Sequence, residues 1–415
     1  MADLYITGQF NSTAEITAVS IGSQVMHMLT VIIVGLAMGT TVIVGQSVGE
    51  KNNGRISAAA GNSFTLFFIL SVLAAFVLSL FTDEIVELIS TPKEACKSTG
   101  NYLRICFLGI PFITGCNIIS AIFRGLGDSK TPMIFVSTAC LLNIVLDYIF
   151  LGCFGLGASG AAISTVAAQI FSVVFSLCFI KKSWKDISPK KGDFKLRRKI
   201  YAPLLKVGIP VALQDGFIQV AFIIITIIVN KRGLSDAAAV GIVEKIICFI
   251  FLVPSSMLSA VSALAAQNFG AGKIDRAEKT LIYAASICFV FGLSVAIVFQ
   301  FIAEPVVALF DGNPSVIKAG GEYLRSYIVD TMFAGLHFCF SGYFCALGKS
   351  WISFMHNTIS ILLVRIPGAY FLSLYFVDTI YPLGFAAMTG SALSAAICFW
   401  VFLILKRKMK RQNSA

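Results

Sequence analysis

Charge is what this chain has least of. Only 13% of its 415 residues are charged and 57% are hydrophobic, whereas a soluble domain carries roughly 25% charged residues to solvate its surface. That deficit excludes a soluble protein. Charge is missing over whole stretches: Phe64 to Phe81, Ile246 to Phe269 and Leu281 to Ala303 hold none. Each is about long enough to cross a hydrocarbon core about 30 Å thick as a helix of about 20 residues. Segments of about 10 residues alternating apolar and polar are also lacking, which excludes an outer-membrane barrel. The fold class that remains is an all-α polytopic membrane protein.

Further absences narrow the chemistry. No G-x-x-x-x-G-K-[ST] loop occurs, so the chain does not hydrolyse ATP by that route. None of the eleven cysteines forms a CxxC pair, and Cys140, Cys178, Cys288 and Cys398 lie in apolar segments, where they read as small apolar residues. His27, His337 and His356 are too dispersed for a metal cage and read as polar residues satisfied at helix interfaces. Met1-Ala2-Asp3 lacks the basic and apolar regions of a signal peptide.

The net charge of +11 raises the question of nucleic acid, which the placement of the 32 Lys and Arg residues answers. Most lie in alternate loops: Lys51 and Arg55; Arg124 and Lys130; nine between Lys181 and Lys199; Lys273, Arg276 and Lys279; Lys349; and five between Lys406 and Arg411. The intervening loops hold fewer bases among acids such as Asp83, Glu84, Glu87, Asp236, Glu304 and Asp311. The positive-inside rule puts the basic set, including the linker and the C-terminus, in the cytoplasm. Basicity is therefore a topology signal, and no nucleic-acid partner is expected.

Apolar segments run over about 14–48, 56–81, 95–123, 131–152, 157–180, 201–230, 235–269, 276–302, 316–347, 350–376 and 383–405, which gives eleven full spans. Pro111, Pro210, Pro254 and Pro367 fall inside spans, where each removes a backbone hydrogen bond and is expected to bend its helix. At a shift of 221 residues, Tyr102-Leu103-Arg104 meets Tyr323-Leu324-Arg325, Gln46 meets Gln267, Gly49 meets Gly270 and Arg55 meets Arg276. A six-residue slip then matches Leu156-Gly157 to Leu383-Gly384. The chain reads as an internal duplication. The expected organisation is an N-lobe over 1–182, a basic cytoplasmic linker over 183–200 and a C-lobe with a basic tail over 201–415. Complete halves would have six helices each, hence two parallel bundles related by a pseudo-two-fold axis. The counterpart of 201–230 would begin about 20 residues before Met1, so most of helix 1 is expected to be missing, by a late start codon or a truncation.

Ionisable residues inside spans cost roughly 2.5–3.5 kcal/mol each on insertion scales, so each calls for a role or a partner. The candidates are Asp3, Asp147, Asp215, Glu244, Asp330 and Arg365. Asn143 and Asp147 are four apart, on one helix face; their oxygens suit a shared cation or proton, and equally a hydrogen bond to neighbouring helices. Asp215, Glu244 and Asp330 read first as interfacial acids or as partners of Arg365 or Lys245. Tyr327, Phe333, Phe338, Tyr343 and Phe344 suit a cavity for flat apolar cations, although packing toward lipid is the commoner use of such residues. Small residues from Gly155 to Ala162 allow close helix approach.

Several stretches together carry a resemblance: Ala2-Asp3-Leu4-Tyr5-Ile6-Thr7-Gly8, Gly45-Gln46-Ser47-Val48-Gly49, Phe123-Arg124-Gly125-Leu126-Gly127-Asp128-Ser129-Lys130-Thr131-Pro132, Asn143-Ile144-Val145-Leu146-Asp147 and Gly157-Ala158-Ser159-Gly160-Ala161-Ala162. The chain resembles the MATE (multidrug and toxin extrusion) family over nearly its whole length. The resemblance implies a cation site in the N-lobe formed by Asp3, Asn143, Asp147 and Thr165. Acids that some relatives use for sodium in helices 7 and 10 have their nearest counterparts in Asp215 and Asp330, about a turn away. The expected function is secondary antiport, exporting small amphipathic or cationic drugs in exchange for H+ or Na+ by alternating access, without other cofactors, from a monomer in the plasma (inner) membrane. A substrate cavity is expected at Asp215, Tyr327, Asp330, Phe333 and Phe338. Alternatives are a lipid-linked oligosaccharide flippase of the same superfamily, for which Arg365 is the only clear mid-span base, and a membrane-embedded transferase.

Overall fold

The computed structural model describes residues 2–183 and 189–413. Met1, residues 184–188 of the basic linker and the last two residues of the tail lie outside the described residues. Among the described residues the regular structure is entirely helical. The first half comprises α1 (Ala2–Phe10), α2 (Thr13–Gly49), α3 (Asn53–Leu80), α4 (Thr82–Leu88), α5 (Lys93–Leu108), α6 (Ile110–Leu126), α7 (Lys130–Asp147) with a π-helical turn over Tyr148–Cys153, and α8 (Gly157–Ser183). A 3-10 turn (Lys191–Phe194) leads to α9 (Arg198–Asn230). Then follow α10 (Leu234–Ile250), α11 (Leu252–Gly270), α12 (Ile274–Ala308), α13 (Pro314–Tyr327), α14 (Asp330–Ala346), α15 (Ser350–Ser360) with a π-turn over Ile361–Arg365, α16 (Ile366–Tyr375) and α17 (Leu383–Asn413).

Nine of these helical stretches are long and apolar enough to cross a membrane, and two bent pairs, α5–α6 at 47° and α13–α14 at 43°, bring the number to eleven. The protein is a multi-pass membrane protein. Its packing has the membrane pattern: large apolar residues such as Phe68, Leu73, Phe76 and Phe301 point outward, while Ala, Gly, Ser and Thr fill the helix contacts, since packing and interhelical hydrogen bonds, not burial from water, hold helices together in lipid. Pro111, Pro254 and Pro367 sit just after helix breaks, whereas Pro210 lies within an uninterrupted α9.

The chain divides into two compact units, 1–208 and 209–415. Residues 198–208, the first eleven of α9, thus pack with the first unit. There Gly39 and Gly208 let α2 and α9 touch backbone to backbone: a Cβ on Gly39 would stand 2.1 Å from Leu204 O, and one on Gly208 2.4 Å from Leu36 O. The linker is fastened to α3 beside them. Ser57 Oγ donates to Asp193 Oδ2 (2.7 Å), and Asn62 donates to Asp193 O (2.9 Å) while accepting from Arg197 N–H (2.8 Å).

The duplication appears in side-chain detail within each unit. Thr41 Oγ1 donates to Ala121 O at 3.0 Å, and at the shift of 221 Ser262 Oγ donates to Gly342 O at 3.2 Å. Arg104 pairs with Asp83 at 2.6 Å, and Arg325 with Glu304 at 2.9 Å, again at that shift. The two bent pairs correspond in the same way.

Candidate cation site

In the first unit α1, α7 and α8 pack around Asp147, the last residue of α7, which is fully buried. The π-turn that follows widens the helix here, and such bulges often mark functional positions. Ser164 on α8 donates its hydroxyl to Asp147 Oδ1 in a short contact. The other oxygen, Oδ2, is buried without a hydrogen-bond partner. One turn back, Asn143 Nδ2 stands 3.5 Å from both Ser164 Oγ and Thr165 Oγ1. Thr165 in turn donates to Ala161 O at 2.9 Å. The Asp3 carboxyl of α1 lies close enough to Asp147 to interact with it electrostatically, and Tyr102 of α5, only 2% exposed, stands beside both acids. Asp3, Asn143, Asp147 and Thr165 therefore converge. Two acids, an amide and two hydroxyls around an unsatisfied carboxylate oxygen form an oxygen-rich pocket suited to a proton or a hard monovalent cation.

Ser164 and Tyr102 join this set without having been singled out. The signal for Tyr102 was present, because it opens the Tyr-Leu-Arg triplet that repeats at Tyr323. Ser164 carried no comparable signal, since which of two adjacent hydroxyls faces Asp147 depends on the rotation of α8.

The second unit answers differently at equivalent places. Arg365 closes the π-turn after α15 and pairs with Asp330 Oδ2 at 3.3 Å, donates to Tyr327 Oη at 3.1 Å and lies 5.6 Å from the centre of the Phe222 ring. Tyr323, the counterpart of Tyr102, and Ser391, the counterpart of Ser164 once the six-residue slip is included, both neighbour this group. Glu244 accepts from Thr226 Oγ1 at 3.4 Å and shares a small cavity with Phe222, Tyr323 and Tyr327. Tyr327 and Asp330 thus sit inside an ion-paired cluster, and Asp215 lies apart from it, near Cys345. Phe338 stacks on His337, Phe333 is half-buried, Tyr343 is fully buried against Phe269 and Phe402, and Phe344 is fully buried against Tyr343 and Phe340. Close packing of α14 in the unit interior encloses the rings of Tyr343 and Phe344, so these two do not pack toward lipid.

A family model described as MatE matches residues 1–149 and 210–371. Among curated relatives, the probable multidrug resistance protein YpnP of Bacillus subtilis is 28% identical over 365 residues, 87% of this chain and 80% of that protein. The probable multidrug resistance protein YoeA of the same organism is 27% identical over 317 residues, 75% of this chain and 68% of that protein. A solved structure of a MOP superfamily transporter from Pyrococcus furiosus superposes with a TM-score of 0.92 at 21% identity, covering 99% of this chain and 91% of that one.

Proposed function

Because the chain belongs to the MatE family of membrane transporters, we propose that it is a secondary antiporter that exports small amphipathic or cationic drugs in exchange for H+ or Na+ by alternating access. The observation that carries this reading is the pocket of Asp3, Asn143, Asp147, Ser164 and Thr165 around the buried Asp147 carboxyl, which holds two carboxylates and, among the side chains of the described residues, no base. Two like charges in a low-dielectric site cannot easily both remain uncompensated. Uptake of one cation removes one of the two negative charges, relieves their repulsion and lets α1, α7 and α8 close around it. Its release restores the charge and opens the pocket, so cation and drug compete through one conformational equilibrium. The carrier acts as a monomer in the plasma (inner) membrane, with linker and C-terminus cytoplasmic as the basic loops dictate, and with small molecules and lipid as its partners and no nucleic acid. The names of YpnP and YoeA support drugs as the substrate class. The flippase alternative loses support because Arg365, its one mid-span base, is engaged by Asp330.

The test is drug uptake into everted vesicles under an imposed proton or sodium gradient. Asp147→Asn should bring gradient-driven uptake to background while the protein still folds and inserts, and Asp3→Asn should resemble it. If both variants keep the wild-type dependence on pH and sodium, coupling resides elsewhere and the reading fails.

A further inference from the structure

The second unit contains a line of buried polar side chains that its ion-paired cluster does not account for. On α14, Asp330, His337 and Ser341 are spaced seven and four residues apart, hence on one face. Facing them are Ser353 and His356 of α15 and Arg365 of the π-turn, all buried. Contacts connect the line from the Lys349 end outward. Ser353 Oγ donates to Ser341 O at 3.3 Å, and Ser341 Oγ shares a 3.0 Å hydrogen bond with His356 Nε2. The His356 and His337 rings meet edge to face at 5.6 Å, and His337 lies within electrostatic reach of Arg365, which holds Asp330. Along this line His356 Nδ1, His337 Nδ1, Asn357 Nδ2, Asp330 Oδ1 and Arg365 Nε are buried without protein partners.

Packing alone does not demand this polarity. At the shift of 221 the first unit has Cys116 for His337, Phe135 for His356, Gly109 for Asp330 and Ile144 for Arg365, and there Phe135 fills the space in a cluster with Phe123, Phe175 and Phe179. The same architecture closes with apolar residues in one copy and with imidazoles in the other. Buried polar groups without protein partners are ordinarily met by water.

We propose that the second unit holds a hydrated seam that conducts protons between its Lys349 end and Asp330, with His356 and His337 as the transferring groups. Water in the seam returns a proton to the Ser341 hydroxyl as that hydroxyl passes its own to His356 Nε2, and His356 releases its Nδ1 proton to water. His337 repeats the exchange, so each ring gains and loses one proton and the carboxyl of Asp330 is the terminal acceptor. The titratable groups facing the seam are Tyr327, Asp330 and Arg365 at its outer end, Cys339 and Cys345 on α14, Cys288 on α12, Cys398 on α17, Asp215 on α9, and the Glu278–Lys406 pair near Tyr343. The seam is independent of the pocket in the first unit.

The chain has three histidines, so ring-15N-labelled full-length protein in liposomes gives three resolvable signals, with His27 on the exposed side of α2 as reference. In D2O the ring N–H groups of His337 and His356 should exchange within minutes, and Ser353→Val, which plugs the seam, should slow both at least about tenfold. Protection over many hours in the wild type overturns the proposal, and exchange unaltered by the plug overturns the route. Should Ser353→Val fail to fold, radiolytic hydroxyl-radical labelling of the wild type decides the matter, because water beside a ring raises its labelling. Both histidines should label well above buried Phe107 and Phe135, and labelling equal to theirs overturns the seam. No readout needs a transported compound, so failure of the drug-export reading and failure of the seam are distinguishable.

Discussion

Asp147 keeps one oxygen on the Ser164 hydroxyl and the other buried without a hydrogen-bond donor, beside Asp3, so the two hydroxyls of α8 are not equivalent. A hydrogen bond to a charged group contributes about 1.5–3 kcal/mol. Ser164→Ala should therefore shift apparent affinity by about tenfold, tightening it for a proton, because the hydroxyl stabilises the charged carboxylate, and weakening it for sodium, which loses an oxygen ligand; Ser164→Thr should restore it, whereas Thr165, which shares the Ala161 O contact but is set toward Asn143, should matter less. Flux against pH and against sodium separates these outcomes. Arg365 presents the opposite case, a buried cation whose loss leaves Asp330 uncompensated. Breaking such a pair costs about 3–5 kcal/mol while replacing both partners is close to neutral. Arg365→Met should depress thermal unfolding in detergent strongly, and adding Asp330→Asn should recover most of the loss. At this scale the acids and Asn143 were legible because ionisable groups are conspicuous in apolar sequence. Ser164 was not, because small hydroxyl residues abound there and helix rotation, set by tertiary packing, chooses among them.

Helix extents were legible almost throughout: the eleven apolar runs correspond to the nine long helical stretches and the two bent pairs, because length and hydropathy are local properties. The π-turns at Tyr148–Cys153 and Ile361–Arg365 were not, since they depend on what the opposite helix admits. Nor was the role of Glu15, whose carboxylate leaves α2 to accept from Ser98 Oγ at 2.5 Å and from Ala158 N–H at the start of α8 at 2.5 Å. A carboxylate there satisfies an orphan donor and meets the positive end of the helix dipole. Glu15→Ala should cost about 1–2 kcal/mol of stability by thermal unfolding. The linker clasp is sensitive to pH. The Lys190 backbone N–H, then the Ser57 hydroxyl, hold the Asp193 carboxyl below the usual carboxylate range. Its folded value is depressed, so the stabilisation is present above about pH 4, the unfolded value, and is lost as pH falls through the depressed one. Hydrogen exchange of a peptide covering 189–197 should accelerate, after correction for intrinsic rates, only at such acidity, and Asp193→Ala should reproduce that mobility at neutral pH.

At the scale of the molecule the two units keep their common frame, down to the paired Thr41–Ala121 and Ser262–Gly342 bonds, and differ in how a buried acid finds its positive charge. On the proposed reading the charge in the first unit comes from solution, so occupancy of the pocket follows the concentration of the ion. In the second it is tethered to the chain as Arg365, and a tethered partner has an effective concentration that no external gradient alters. One acid thus draws its counter-charge from the medium, and the other carries it on the chain. Export measured against concentration of the coupling ion should then follow a simple hyperbola with a Hill coefficient near one. A coefficient approaching two would require a second exchangeable ion in the same cycle, for which Glu244, whose carboxylate accepts from Thr226 Oγ1, is a candidate.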